Sequence, residues 1–284
     1  MIKRIWMFTT PPTATGLDLM LRRTDYLRLT DMAIFVNGLD EREFLVPAER
    51  ERRLSAVVTG LHRLGVSPHL VSWLRPTERY MAAAAERLRL LCLMLGARSL
   101  LFDAEEPWTR HPTLRGHGEA GAEAFLARHW AFDYWPCALG VSGITYIPAA
   151  VRPLARRCQY VLPQAYSVAH ANASYRPGVT QRLAHERWQD FGKPIVMGLA
   201  AWKLNRHGGL SQTGAMQRAI ATAEDLGIGE VGYWSLRWVV ESAERTEFMR
   251  QAATKAREGR PQRDTAAAPE REGGRERVRV LALH

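Results

Sequence analysis

The residues with the most evident chemical potential in this chain are Asp103 and Glu105, within the stretch Ser99-Leu-Leu-Phe-Asp-Ala-Glu-Glu-Pro-Trp108. Ser99 to Phe102 reads as a short buried strand, and Pro107 ends regular pairing just past the acids. Along an extended strand, residues i and i+2 project to one face. Asp103 and Glu105 are therefore expected side by side, about 7 Å apart at Cα, with Glu106 on the opposite face. Two carboxyls so placed form a candidate acid/base pair, since each disfavours ionisation of the other. A solvated strand end facing arginines has the same composition, so the pair needs partners from elsewhere in the chain.

The elements that would supply those partners alternate regularly. Short apolar runs predict strands at 5–9, 32–37, 68–74, 99–105, 139–146, 159–166, 194–202 and 230–238. Helical segments are expected between and after them, at 17–29, 47–64, 77–95, 119–129, 149–157, 179–189, 212–226 and 240–250. Pro47 is a helix-starting proline, Gly65 and Gly96 are stops, and Asn37-Gly38 is a turn signal. Polar loops at 109–118 and 167–178 are long enough to form site walls.

Eight strands alternating with eight helices, the strands apolar on both faces, define an α/β fold. A (β/α)8 TIM barrel over residues 1–251 fits that number and that length. The rival, a doubly wound open sheet, announces itself with a glycine-rich phosphate loop after the first strand, and Thr9-Thr-Pro-Pro12 offers none. From residue 252 the composition shifts to Arg, Glu, Gly, Pro and Ala. A flexible charged tail is expected over 252–284, with 278–283 able to act as a short strand or docking peptide.

In a barrel the C-terminal strand ends converge on one mouth. Those ends carry Trp73, Asp103 with Glu105, Tyr146, Gln164 with Tyr166, Trp202 and Trp234. Acids flanked by aromatics and amides describe a carbohydrate cleft, because indole and phenol faces stack on sugar rings while polar groups reach the hydroxyls. Trp73, Trp202 and Trp238 fit plain core equally well. Gln164 is more telling, since a glutamine in an apolar strand needs buried partners.

Leu101-Phe-Asp-Ala-Glu105 resembles the Asp-x-Glu strand of two groups of barrel enzymes, the family-25 lysozymes and the family-18 chitinases. Pro-Gln-Ala-Tyr166 and Tyr-Trp-Ser235 are similar to the Tyr-bearing and Trp-bearing strands those groups place around an N-acetylated sugar. The chain departs from both patterns. The two further acids upstream in the chitinases are Arg98 and Leu101 here, and the strand-one aspartate of the lysozymes is replaced by Thr9 and Thr10. The resemblance implies a glycoside hydrolase of an N-acetylated amino-sugar polymer, peptidoglycan or chitin-like, of the phage-type cell-wall lysin kind. Glu105 would be the general acid, its pKa raised, and Asp103 would orient the acetamido group or stabilise charge. Tyr166 and Gln164 would bind that group, Tyr146 and Trp202 would line the cleft, and Trp234 would form the floor. The missing strand-one acid keeps a second expectation open: a non-catalytic glycan-binding barrel, or a structural component of a phage or secretion particle.

No cofactor and no metal is expected. The scattered histidines share no ligand spacing, no Gly-x-Ser-x-Gly elbow occurs, and Cys92, Cys137 and Cys158 lack redox or metal spacing. With 46% apolar and 24% charged residues the composition is that of a soluble globular protein, and no run is long enough to span a bilayer. The run at 5–8 is too short for a signal sequence, so a cytoplasmic site of synthesis is expected, with action on the cell wall after release or delivery. The net charge of +10 favours anionic partners such as a wall polymer. Nucleic acid is not expected as a partner, because the arginines are dispersed and not interleaved with aromatics.

Overall fold

The structure, a computed structural model, describes residues 1–36, 48–110, 114, 117–167, 176–201 and 210–259. Eight parallel strands close into a barrel in sequence order: β1 (Arg4–Thr9), β2 (Asp31–Phe35), β3 (Ser67–Trp73), β4 (Ser99–Asp103), β5 (Ala138–Ile144), β6 (Tyr160–Gln164), β7 (Val196–Ala200) and β8 (Glu230–Trp234). This is the expected TIM barrel. The helices pack their apolar stripes against the outside of the sheet, forming one continuous core. Helix Glu78–Leu95 illustrates how sequence sets the bounds: the Thr77 hydroxyl accepts from the Tyr80 N–H at its start, and Gly96 closes it in the left-handed region at φ 60°.

Seven strands, β2 to β8, stop one to four residues earlier than the apolar runs suggest. At the other end of the chain, helix Ala243–Glu258 runs beyond the expected limit at 250. Ala253 and Ala256 are buried against the barrel, so residues 252–258 belong to the folded body. The turn at Asn37-Gly38 and the tail from 260 onward lie outside the described residues. No helix among the described residues is long and apolar enough to cross a membrane.

The period-2 alternation of each strand fills the barrel lumen in layers. The middle layer is apolar, with Trp6, Ala33, Val71, Leu101 and Leu162 in contact. Below it, at the N-terminal pole, lies a buried polar network. The Arg4 guanidinium donates to both oxygens of Asp31 at 3.1 Å and to Ser67 Oγ at 3.1 Å. His69 Nε2 lies 3.0 Å from Asp31 Oδ1, its Nδ1 lies 2.6 Å from Ser99 Oγ, and Ser99 Oγ lies 2.8 Å from the Tyr160 hydroxyl. Burial pushes the Asp31 carboxyl up, but the His69 hydrogen bond and the His69 and Arg4 charges outweigh it and hold the group well below the usual range. Burial lowers His69 against the pull of Asp31. A neutral His69 satisfies the whole chain: Tyr160 donates to Ser99, Ser99 to Nδ1, and Nε2–H to the Asp31 carboxylate.

The β6–β7 ladder is the thinnest of the eight. Gln164 pairs with Gly198, and an isolated bridge joins Val161 to Ile195. Pro163 has no N–H to donate there, and the backbones approach so closely that a Cβ on Gly198 would stand 2.8 Å from the Pro163 carbonyl oxygen. Gly198→Ala is therefore expected to destabilise the fold by about 1–3 kcal/mol, measured by urea denaturation, since rigid backbone has to move.

Candidate functional site

The top layer of the lumen brings Asp103, Ser142 and Gln164 together. Trp73, Asp103 and Ser142 are register partners on β3, β4 and β5, so their side chains share the inner face. Gln164 is the hub. Its Nε2 donates to Asp103 Oδ1 at 3.1 Å, contacts Ser142 Oγ at 3.2 Å, and reaches Glu105 Oε1. Asp103 and Gln164 are buried, while Glu105 is half-buried and open to the mouth.

Glu105 departs from its expected geometry. β4 ends at Asp103, and Glu105 sits in the bend that leads into the short helix Glu106–Thr109, where its carbonyl accepts from the Trp108 and Thr109 N–H groups. The backbone turn, and not strand pleating, carries its carboxyl to the same amide. Burial first, and the Glu105 charge second, push Asp103 well up, against the hydrogen bonds from Ser142 and Gln164. Burial and the two carboxylate charges likewise raise the half-buried Tyr166, which keeps its hydroxyl protonated as a donor beside them.

Trp234 closes β8 half-buried and meets Phe35 edge-to-face at 5.1 Å and Phe8 at 5.8 Å, while Trp73 meets Phe35 at 6.4 Å. These rings make an aromatic floor beside the acids. Tyr146 does not join them. It lies past the end of β5, 57% exposed, with the Arg187 guanidinium 3.7 Å over its ring. Trp202 lies outside the described residues. Trp238 sits on the short helix Leu236–Val240 with Arg237 5.4 Å over its ring. Ser142 is the site residue that sequence reasoning missed. The argument that singled out Gln164, a polar side chain on the inner face of an apolar strand, applies to it equally.

A raised carboxyl makes a linkage prediction. Asp103 binds its proton more tightly folded than unfolded, so its contribution to stability is greatest below the unfolded value near 3.8 and falls as pH rises through the folded value. Asp103→Asn mimics the protonated acid. The variant is expected to melt higher than the parent at pH 7, with the two curves converging below about pH 4. A thermal melt at each pH checks this; an unchanged or lowered Tm at pH 7 contradicts it.

No protein-family model matches the sequence, and no curated protein sequence matches it. Solved structures do match the fold. The Ostrinia furnacalis Group IV chitinase is similar with a TM-score of 0.60 at 13% identity, over 90% of this chain and all of that one (100%). The Bacillus megaterium spore cortex-lytic enzyme SleL gives 0.58 at 11%, over 87% of this chain and 73% of that one. The Thermotoga petrophila endo-1,4-beta-D-mannanase gives 0.59 at 9%, over 89% and 100%. The chain thus has the (β/α)8 fold of glycoside hydrolases, and the expected resemblance to that class of barrel holds at the level of fold.

Proposed function

We propose that this protein is a glycoside hydrolase that cleaves an N-acetylated amino-sugar polymer, peptidoglycan or chitin-like. The observation that carries the reading is the single Gln164 amide that bridges Asp103 and Glu105 at the barrel mouth. Like-charged carboxyls this close hold a proton between them, which keeps an acid available near neutral pH. Sharing one nitrogen also holds their nearest oxygens closer than the roughly 6.5–9.5 Å that inverting hydrolysis needs for a water between the acids.

Glu105, the more exposed member, takes up the pair's proton from Asp103 and delivers it to the leaving glycosidic oxygen. Asp103, buried behind it and ionised once its proton has passed to Glu105, orients the substrate acetamido group or steadies charge at the anomeric carbon, so that the substrate's own amide replaces a protein nucleophile. Ser142 holds Asp103 through its hydroxyl, Gln164 fixes the spacing, Tyr166 donates to the acetamido oxygen, and Trp234 stacks beneath the ring. The net charge of +10 favours approach to an anionic wall.

The fold neighbours include a chitinase and a cortex-lytic enzyme but also a mannanase, so the N-acetyl preference rests on the site. Incubating the full chain with oligomers of N-acetylglucosamine and with β-mannan tests it. Reducing ends from the first alone support the reading, and release from mannan alone overturns it. Saccharide binding by calorimetry with no reducing ends from either favours the glycan-binding barrel, the reading suggested by Thr9 and Thr10 on strand one.

A further inference from the structure

At the N-terminal pole, the end of the barrel away from the acids, a cavity of about 860 Å³ opens beneath the polar network. Ser99 lies on its wall and Asp103 at the mouth, four residues along β4, so the two regions are roughly 13 Å apart. The floor is formed by His69, Ser99, Trp6 and Tyr160, and the sides by apolar residues such as Ile195 and Ile228. Trp6 is stacked on His69 with ring centroids 3.7 Å apart, so the floor is rigid. Its size suits a small organic molecule.

The charges on the wall are unequal. Lys3, Arg4, Arg98 and Lys193 line the cavity, entering from three strand approaches: β1 for the first two, β4 and β7 for the others. Glu230 is the one carboxylate among the lining residues, and it already accepts from Trp6 Nε1 at 2.9 Å. Arg4 is neutralised by Asp31 behind it. Among the described residues neither Arg98 nor Lys193 forms an ion pair with a carboxylate. A half-enclosed cavity with surplus positive charge concentrates anions, because its low-dielectric walls focus the field.

We infer that this pole is a second ligand site, independent of the glycosidase reading, for a small molecule that carries two or more phosphate groups. Arg98 supplies a planar fork matched to phosphate oxygens and Lys193 a mobile point charge. The neutral floor meets the uncharged remainder of the ligand: the rings of Trp6 and Tyr160 offer apolar contact, their donors being already engaged with Glu230 and Ser99. Phosphate is favoured over carboxylate because one dianionic group balances two positive charges, where a carboxylate balances one.

Calorimetry of the full chain with pyrophosphate tests the inference, with citrate as a carboxylate probe and the double variant Arg22→Ala/Arg79→Ala as a control. The control removes twice the formal charge of either cavity variant, from exposed helix surfaces away from the cavity. The expected result is saturable one-to-one binding of pyrophosphate, weakened about tenfold or more in Arg98→Ala and in Lys193→Ala, and within about twofold of the parent in the control. Should either alanine variant melt early, Arg98→Gln and Lys193→Gln carry the same expectation. The inference fails if pyrophosphate gives no saturable isotherm, if the control loses as much affinity as the cavity variants, or if citrate binds as tightly as pyrophosphate.

Discussion

Glu105→Gln is expected to lower the release of reducing ends from N-acetylglucosamine oligomers by about 10²–10⁴-fold, the contribution of a positioned general acid. Gln keeps the carbonyl oxygen that accepts from Gln164, so the hub and the fold should persist, with an unchanged circular dichroism spectrum and a Tm close to the parent's. What it loses is the transferable proton. Because the loss is confined to the transition state, it should fall on kcat with little change in KM. Turnover within a few-fold of the parent in a folded variant would remove Glu105 as the acid. An equal loss of kcat in Asp103→Asn would leave Glu105 in place and make Asp103 the partner in the same step. The stability of that second variant is expected to rise, which separates the two residues by a readout other than activity.

Asp31→Asn is expected to cost about 3–5 kcal/mol of unfolding free energy at pH 7, the largest stability effect of a near-isosteric change in this barrel. Asp31 is fully buried and accepts from Arg4 and His69 at 3.0–3.1 Å. Asparagine leaves the Arg4 guanidinium in the lumen without its counter-charge and removes the acceptor that fixes the His69 tautomer. The sign with pH follows from the depressed carboxyl. The parent's contribution is complete above the unfolded value of 3.8 and is lost as pH falls toward the much lower folded value, so the deficit of the variant should shrink below about pH 4. Urea denaturation at pH 7 and pH 3.5 checks both the size and the convergence. A deficit below 1 kcal/mol at pH 7 would mean that water, and not Asp31, balances Arg4.

Much of this architecture is legible in the residues. The eight strands and the helices between them stand out because β/α alternation rests on local signals: apolar runs, Thr77 and Gly96 at the ends of one helix, Gly65 at the end of another. Gln164 is legible because a buried amide in an apolar strand has to be satisfied somewhere. Glu105 is legible as a site residue but not in its geometry, since pleating arguments assume that the strand continues and β4 stops two residues short of it. Tyr146 departs from its expected placement for a related reason. The reading of 139–146 as strand places it at the rim, whereas β5 ends at Ile144 and the ring turns out to Arg187. The polar network of Arg4, Asp31, His69 and Ser99 has no sequence signature at all. Its members are spread over four strands and meet only because the barrel closes, and closure is a long-range property that no window of sequence contains.

That closure has one weak clasp. Because Pro163 and Gly198 thin the ladder between β6 and β7, a partly folded barrel is, in topological terms, an open sheet whose two free margins are these strands. An open margin is an invitation to pair with a second chain. Here the invitation is withdrawn by the residue that weakens the clasp: Pro163 leaves β6 one donor short near its C-terminal end, so an intruding strand finds an incomplete template. The same irregularity that loosens the ring thereby guards it from aggregation on the way to closing.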